Sequence, residues 1–256
     1  MIRLHQQGGG KILMRLHGFF QLRIRKDWNF RRVMEMAPAM RWLNPKSNER
    51  ILDIGCGDGT YDYRIVRRGA LVIGFDTNQD KLRKAARFHA IKGLVFLKAN
   101  AEELPVKDGS FDVVVSFCVF EHLQNDRKAL AEANRALRSG GRLLLTLDSL
   151  SRTDIPESWR DKHREKHKVR QFYTVSTIDA KLQSQGFHLI RYRYLLGSRL
   201  DFKIIKLSYS TEKMNTLPAA LIRTALITIG RGICFLFNLF SRAENGWTLM
   251  VEASKV

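Results

Sequence analysis

Short apolar runs separated by polar, helix-like stretches set the frame of this chain. Ile51, Leu52 and Ile54, then Leu71 to Phe75, Leu94 to Leu97, Phe111 to Val115 and Leu143 to Leu147 are each bounded by glycine, asparagine, aspartate or serine. Runs of this length, without strict alternation, read as strands covered on both faces. They predict strands near 50–54, 71–75, 94–97, 111–116 and 141–147. Helices are predicted near 60–68, 78–90 and 126–137, with a short helical turn around 102–105. Alternation of the two kinds implies a parallel sheet with right-handed crossovers. Further on, Thr174 or Ser176 is placed to cap a helix from Ile178 to Gln185, and Gly186 to end it. Phe187 to Leu196 and Gly246 to Ala253 read as the sixth and the last strand.

Three stretches fall outside that alternation. From Lys11 to Arg25 apolar and basic residues interleave, as in a basic amphipathic helix weakened near Gly18. A second helix is predicted from Asp27, its N-cap, to Leu43, with Pro38 as the point where it can kink or split. No signal-peptide pattern is present in residues 1–26, because Gln6 to Gly10 interrupt any apolar core. Leu217 to Phe240 is the most apolar region and is about long enough to span a bilayer, but Arg223 and Arg231 lie inside it. Each would cost about 2.5–3.5 kcal/mol at a bilayer centre. The pattern favours a helical pair at an interface or over an acceptor, with a lid packed on its own domain as the other reading. The chain then divides into a basic helical cap (1–45), a core (46–199) with an acceptor-side loop at 149–173, an apolar and basic helical insertion (200–245) and a final strand within 246–256.

Charge sharpens this division. The formal charge is +19, yet residues 51–150 carry 15 Lys and Arg against 13 Asp and Glu, while residues 1–50 carry 11 against 3 and residues 151–256 carry 18 against 9. The strand-bearing core is close to neutral and the flanks are basic, a distribution that attracts polyanions such as nucleic acid, anionic lipid or phosphorylated molecules. A generally basic, well-solvated surface is the plainer reading. Cys56, Cys118 and Cys234 are scattered and odd in number, which argues against a disulfide framework and for a reducing, cytoplasmic compartment. His163 and His167 are four residues apart on one helix face, but Arg164 stands where a zincin needs glutamate. Two histidines are also too few for a structural zinc.

The chemistry collects at Asp53-Ile-Gly-Cys-Gly-Asp-Gly-Thr60. Gly55, Gly57 and Gly59 permit a tight turn after the first strand and close approach of a ligand to the backbone. The second strand ends in Asp76, 23 residues after Asp53, a spacing that suits a carboxylate holding two ribose hydroxyls. Capping of the following helix is the alternative role for Asp76. A dinucleotide fingerprint needs glycine at the sixth place of the turn, where Thr60 stands.

Together with Asn100-Ala-Glu-Glu-Leu-Pro105, Ser110 to Ser116, Phe120-Glu-His-Leu123 and Leu137 to Leu143, the loop resembles motif I and its successors in the class I S-adenosylmethionine-dependent methyltransferases. Asn100 departs from the usual aspartate, and Arg138-Ser139 from the frequent Lys-Pro. The resemblance implies a Rossmann-like, seven-stranded, mostly parallel sheet with helices on both faces and the last strand antiparallel. It implies S-adenosylmethionine as cofactor, held by Asp53, Gly55, Cys56, Gly57, Gly59, Asp76, Thr77, Asn100, Ala101, Glu102, Ser116 and Phe117. His122, His167 and Tyr173 are the candidate catalytic residues, needed if the acceptor is a weak nucleophile such as a hydroxyl. Some members bind magnesium through Glu-x-x-Glu-His at this turn. Cys118 takes the first place here, so no metal is expected. The acceptor is expected to be a small or lipid-linked molecule, with an anionic membrane surface met through 11–25 and 217–240. RNA is the alternative acceptor, and a nucleotide-binding protein or nicotinamide-dependent oxidoreductase the alternative class.

Overall fold

In a computed structural model, which describes residues 30–212, 217–230, 232–233 and 244–256, the chain forms two units. The larger comprises Glu35–Gly197 and Ala243–Val256; the smaller, Met1–Met34 and Ser198–Arg242. The predicted helix at 11–25, its neighbour's cap Asp27, Cys234 and the end of the apolar region at 234–240 lie outside the described residues.

The larger unit is built on one seven-stranded sheet. In chain order its elements are β1 (Arg50–Ile54), α2 (Thr60–Val66), β2 (Leu71–Asp76), α3 (Gln79–Phe88), β3 (Leu94–Lys98), β4 (Phe111–Phe117), a 3₁₀ turn (Phe120–His122), α4 (Asp126–Ala136), β5 (Leu137–Asp148), α5 (Glu157–His167), α6 (Val175–Ser184), β6 (Phe187–Leu195) and β7 (Thr248–Lys255). The preceding α1 (Phe30–Leu43) runs on through Pro38 as a single helix. The spatial order is β3-β2-β1-β4-β5-β7-β6. β1 pairs in parallel with β2 and β4, while β7 lies antiparallel between β5 and β6. This is the Rossmann-like arrangement expected, with Ile51, Leu52, Val114 and Leu145 wholly buried because both faces carry helices. Strand order reverses between β1 and β4, and the carboxyl edge at such a reversal is where α/β sheets place ligands.

Local chemistry explains where the elements depart from expectation. β5 begins at Leu137, ahead of the predicted start, because Leu137 already pairs with Phe111 across an irregularity near Asp112. Gly141 is needed there: a Cβ would come within 2.9 Å of the Arg138 carbonyl. Residues 102–105 form no helix; the Asn100 side chain accepts the Glu102 amide at 3.1 Å and closes a turn instead. The expected acceptor-side loop contains α5, which ends with Lys168 in the left-handed region. Thr174, rather than Ser176, caps α6 through a reciprocal capping box with Thr177.

In the smaller unit, α7 (Arg199–Glu212) starts with a reciprocal pair in which Ser198 and Asp201 each accept the other's amide, at 3.0 and 2.9 Å. α8 (Leu217–Ala225) continues into a π-turn at Leu226–Gly230, and Gly230 packs near Phe30 and Ile204. No helix among the described residues is long and apolar enough to cross a membrane.

Candidate active site

The glycine loop leaves β1 with Gly55, Gly57 and Gly59 all at positive φ (82°, 58° and 73°). The amides of Gly55 and Cys56 both donate to the Phe75 carbonyl, at 2.7 and 2.9 Å, which ties the turn to β2. The three glycines serve different ends. A Cβ on Gly55 would meet Val119 at 2.3 Å, and one on Gly59 would meet Phe96 at 2.4 Å, whereas nothing lies within 4 Å of Gly57. Close approach by a ligand is therefore a property of Gly57. At Gly55 and Gly59 protein side chains already fill the position of a Cβ.

Asp76 closes the next side of the site. Its Oδ2 accepts the Gly57 amide at 3.0 Å and its Oδ1 the Asn78 amide at 2.8 Å. The N-cap of α3 is Asn78, whose side chain receives the amides of Asp80 and Lys81. Asp76 is thus no helix cap. It is a half-buried carboxylate fixed by two amides, with lone pairs to spare for two hydroxyls. Thr77 beside it is exposed. Asn100 is exposed with its carbonyl engaged by Glu102, Ala101 is buried, and Glu102 Oε1 accepts the Asn125 amide at 3.0 Å. Glu102 is held to a neighbouring loop.

Several expected ligand residues prove to be framework. Ser116 is buried and donates to the Ile54 carbonyl at 2.7 Å, which locks β4 to β1 at the strand reversal. Phe117 stacks on Tyr61, with ring centroids 4.1 Å apart. Cys56 is buried, and burial followed by the charges of Asp62, Asp53 and Asp76 pushes its thiol up, so it stays protonated. Asp53 is buried beside Asp62 of α2, which is 0 % exposed. Burial, then the charge of Asp62, raises Asp53 well above the usual carboxylate range. Asp62 is pushed up to about 7, by burial first and by Asp58 as well, against the opposing effect of its bond with Asp53.

A second cluster gathers where β4 and β5 end. Cys118, at φ 55°, places its Sγ 3.5 Å from Thr146 Oγ1 and 3.6 Å from Glu35 Oε2. Glu35 in turn accepts the hydroxyl of Thr248. Donor atoms of Cys118, Glu121 and Asp148 all lie within 4.8 Å of one another. This thiol and carboxyl set was not assembled from the sequence, where position 118 lacks the glutamate and Asp148 lies 30 residues on. Asp148 Oδ2 is 2.8 Å from His163 Nε2. His163 is buried among Trp159, His167, Phe172 and Trp247.

The three candidate catalytic residues have different surroundings. His122 has its side chain 38 % exposed, with Nδ1 3.4 Å from the Lys168 carbonyl and Nε2 4.0 Å from Glu121 Oε1. His167 is half-buried against His163. Tyr173 is buried; its hydroxyl donates to Asp126 Oδ2 at 2.6 Å and accepts from Gln171 at 2.6 Å. Burial, then Asp126, pushes its phenol up. Tyr173 is a strut beneath the 3₁₀ turn, which corrects its reading as a base. Sequence reasoning missed Asp148, which ends β5 as Asp76 ends β2 and carried the same signal. It also missed Asp62, which reads locally as an ordinary first-turn acid, and Glu35, which carries no local signal.

Residues 52–145 match the family model described as a methyltransferase domain. The chain is 36 % identical over 129 residues to the tRNA U34 carboxymethyltransferase of Cellvibrio japonicus, covering 47 % of this chain and 37 % of that one. It is 37 % identical over 111 residues to the fatty-acid O-methyltransferase of Mycolicibacterium smegmatis, covering 43 % and 40 %. The aligned part thus spans about two fifths of the length of these curated relatives. Among solved structures, phosphoethanolamine N-methyltransferase 2 of Haemonchus contortus in complex with S-adenosyl-L-methionine superposes with a TM-score of 0.64 at 21 % identity, over 86 % of this chain and 52 % of that one.

Proposed function

We propose, from the match of residues 52–145 to the methyltransferase-domain family model, that this chain is a class I S-adenosylmethionine-dependent methyltransferase and transfers a methyl group to a small-molecule or lipid-linked acceptor. The observation that carries the donor half is the pairing of Gly57, open on its Cα face, with Asp76, fixed beside it at the strand reversal. The residues fit the group: a cradle that a Cβ would fill, an anchored carboxylate for vicinal hydroxyls, and a buried acid, Asp53, with an oxygen that no donor group reaches. In this reading Asn100 and Ala101 are the residues that would hold the adenine. When bound, S-adenosylmethionine supplies an electrophilic methyl on a positively charged sulfur.

What the chain must add is alignment, exclusion of water and, for a weakly nucleophilic acceptor, a proton acceptor. Beside the second cluster His122 is exposed, and its contact with the Lys168 carbonyl orients the ring. It is the base in this reading, with Glu121 behind it. His122→Asn is expected to lower kcat by about a hundredfold, with the acid limb of the pH–rate profile removed and donor affinity unchanged. An unaltered kcat would make His122 structural.

The acceptor assignment draws on the smaller unit, which exposes Leu221, Ile222, Ile229 and Ile233. An apolar acceptor, or a membrane surface carrying one, suits such residues. Flotation of the full chain with anionic vesicles at low salt is expected to recover it in the lipid fraction, and with neutral vesicles to recover less. Absence from both removes the membrane part of the reading. RNA is the second reading, favoured by the basic flanks and by the likeness to a tRNA-modifying relative. Incubation with methyl-labelled donor and a host extract decides between them: label in the organic phase supports the lipid-linked acceptor, label in RNA the alternative. Calorimetric binding of NADH but not of S-adenosylmethionine would overturn the donor assignment.

A further inference from the structure

Asp53 lies one residue before the end of β1 and Asp62 in the first turn of α2, and the two carboxyls are within hydrogen-bond reach of each other with almost no exposure (1 % and 0 %). Neither oxygen of Asp62, nor Oδ1 of Asp53, is reached by a donor group of the described residues. The two carboxyls can satisfy each other through a proton held between them, with the main chain of Asp62 also bearing on its own carboxyl. The other ionisable groups acting on the pair are Asp58 from the loop and Asp76 from β2, with the Cys56 thiol alongside. All are acids, so none of them favours a doubly ionised pair. A cation from outside would.

We propose that Asp53 and Asp62 share one proton in the free protein and release it to solvent when the ammonium of the donor's methionyl end comes against Asp53, so that Asp62 couples donor affinity to pH. The inference rests on the donor assignment above and adds a binding role for Asp62. No bond to the donor is made: the carboxyl O–H breaks, its proton passes to buffer, and the ammonium stays intact. Because burial holds both carboxyls up in the free protein and a cation against Asp53 brings the pair down, affinity rises with pH between the free and the bound ranges. The rise approaches about tenfold per unit.

Two measurements on the full chain test this. Calorimetry with S-adenosylmethionine at pH 5.5–7.0, in buffers of differing ionisation enthalpy, stays below the range in which a free α-amino group deprotonates, about 7.7–8.0. Release approaching one proton per donor is expected in the wild type. In Asp62→Asn it should fall to zero, because the variant's amide donates to Asp53 and holds it ionised. Donor binding with no release in the wild type overturns the proposal; no donor binding at any pH overturns the donor assignment and the coupling with it. The second measurement needs no donor. Both carboxyls are raised in the folded state, so native protein keeps a proton that the unfolded chain loses above about pH 4, and stability falls as pH rises toward 7. The thermal midpoint of Asp62→Asn should therefore gain on that of the wild type between pH 5 and 7. A constant difference overturns the shared proton. Asp62→Thr, which keeps a hydroxyl donor toward Asp53, should behave like Asp62→Asn and serves if the latter folds poorly.

Discussion

Asp76→Ala is expected to weaken binding of S-adenosylmethionine by about 3 kcal/mol, roughly a hundredfold. The size follows from two jobs held by one side chain. In the free protein its oxygens accept the Gly57 and Asn78 amides, at 3.0 and 2.8 Å, and so fix the open glycine of the loop. In the proposed reading, the remaining lone pairs accept the ribose hydroxyls of the donor. Hydrogen bonds to a charged acceptor are worth about 1.5–3 kcal/mol each, and truncation also leaves partners unpaired. Asp76→Asn should rank between wild type and alanine. It keeps the shape and one acceptor, but turns an amide NH₂ toward one of two backbone N–H groups. Titration calorimetry ranks the three proteins, and an unchanged affinity in the alanine variant would show that the ribose is held elsewhere.

Gly59→Ala is expected to destabilise the protein by about 3 kcal/mol and to prevent folding in a marginal background. Two costs add. The residue sits at φ 73°, where a side chain costs about 1–2 kcal/mol. The new Cβ would lie 2.4 Å from Phe96 and 3.2 Å from Ala85, which forces repacking at about 1–3 kcal/mol. Phe96→Leu in the same chain should recover part of the second cost and none of the first. Gly57→Ala makes the contrast: it also has positive φ but meets nothing within 4 Å. Its thermal midpoint should fall less than that of Gly59→Ala, by the positive-φ cost alone, while its donor affinity drops sharply because the Cβ occupies the ligand's space. Denaturant melts paired with donor titration separate these variants. Equal loss of stability in both would mean that the open face of Gly57 is not what distinguishes the loop positions.

The sheet was legible because its signals are local. Parallel strands covered on both faces are largely apolar, as in Val113 to Val115 and, apart from Thr146, Leu143 to Leu147, and their ends are marked by glycine or a small polar residue. Asp76 and the glycine loop were legible for a related reason: turn geometry and ribose recognition each demand a residue type at a set distance from a strand end. The start of β5 was misplaced because Leu137 pairs through a contact with Phe111 that no short window contains. Residues 102–105 lost their helical turn because the Asn100 side chain competes for the Glu102 amide.

The sequence by itself determined the order of strands and helices, the position of the glycine loop and the acid that follows it, since each depends on neighbours within one turn or one strand. Only the tertiary structure decided which glycine is open, that Tyr173 is a strut, and that Asp53 meets Asp62 while Cys118, Glu121 and Asp148 gather at one point. Those outcomes depend on packing between elements brought together by the sheet. Val119 fills the Cβ position of Gly55 and Phe96 that of Gly59, and burial raises Asp53 and Asp62 above the usual carboxylate range. The energy of a carboxyl or a Cα face is set by what surrounds it, and the surroundings come from remote parts of the chain.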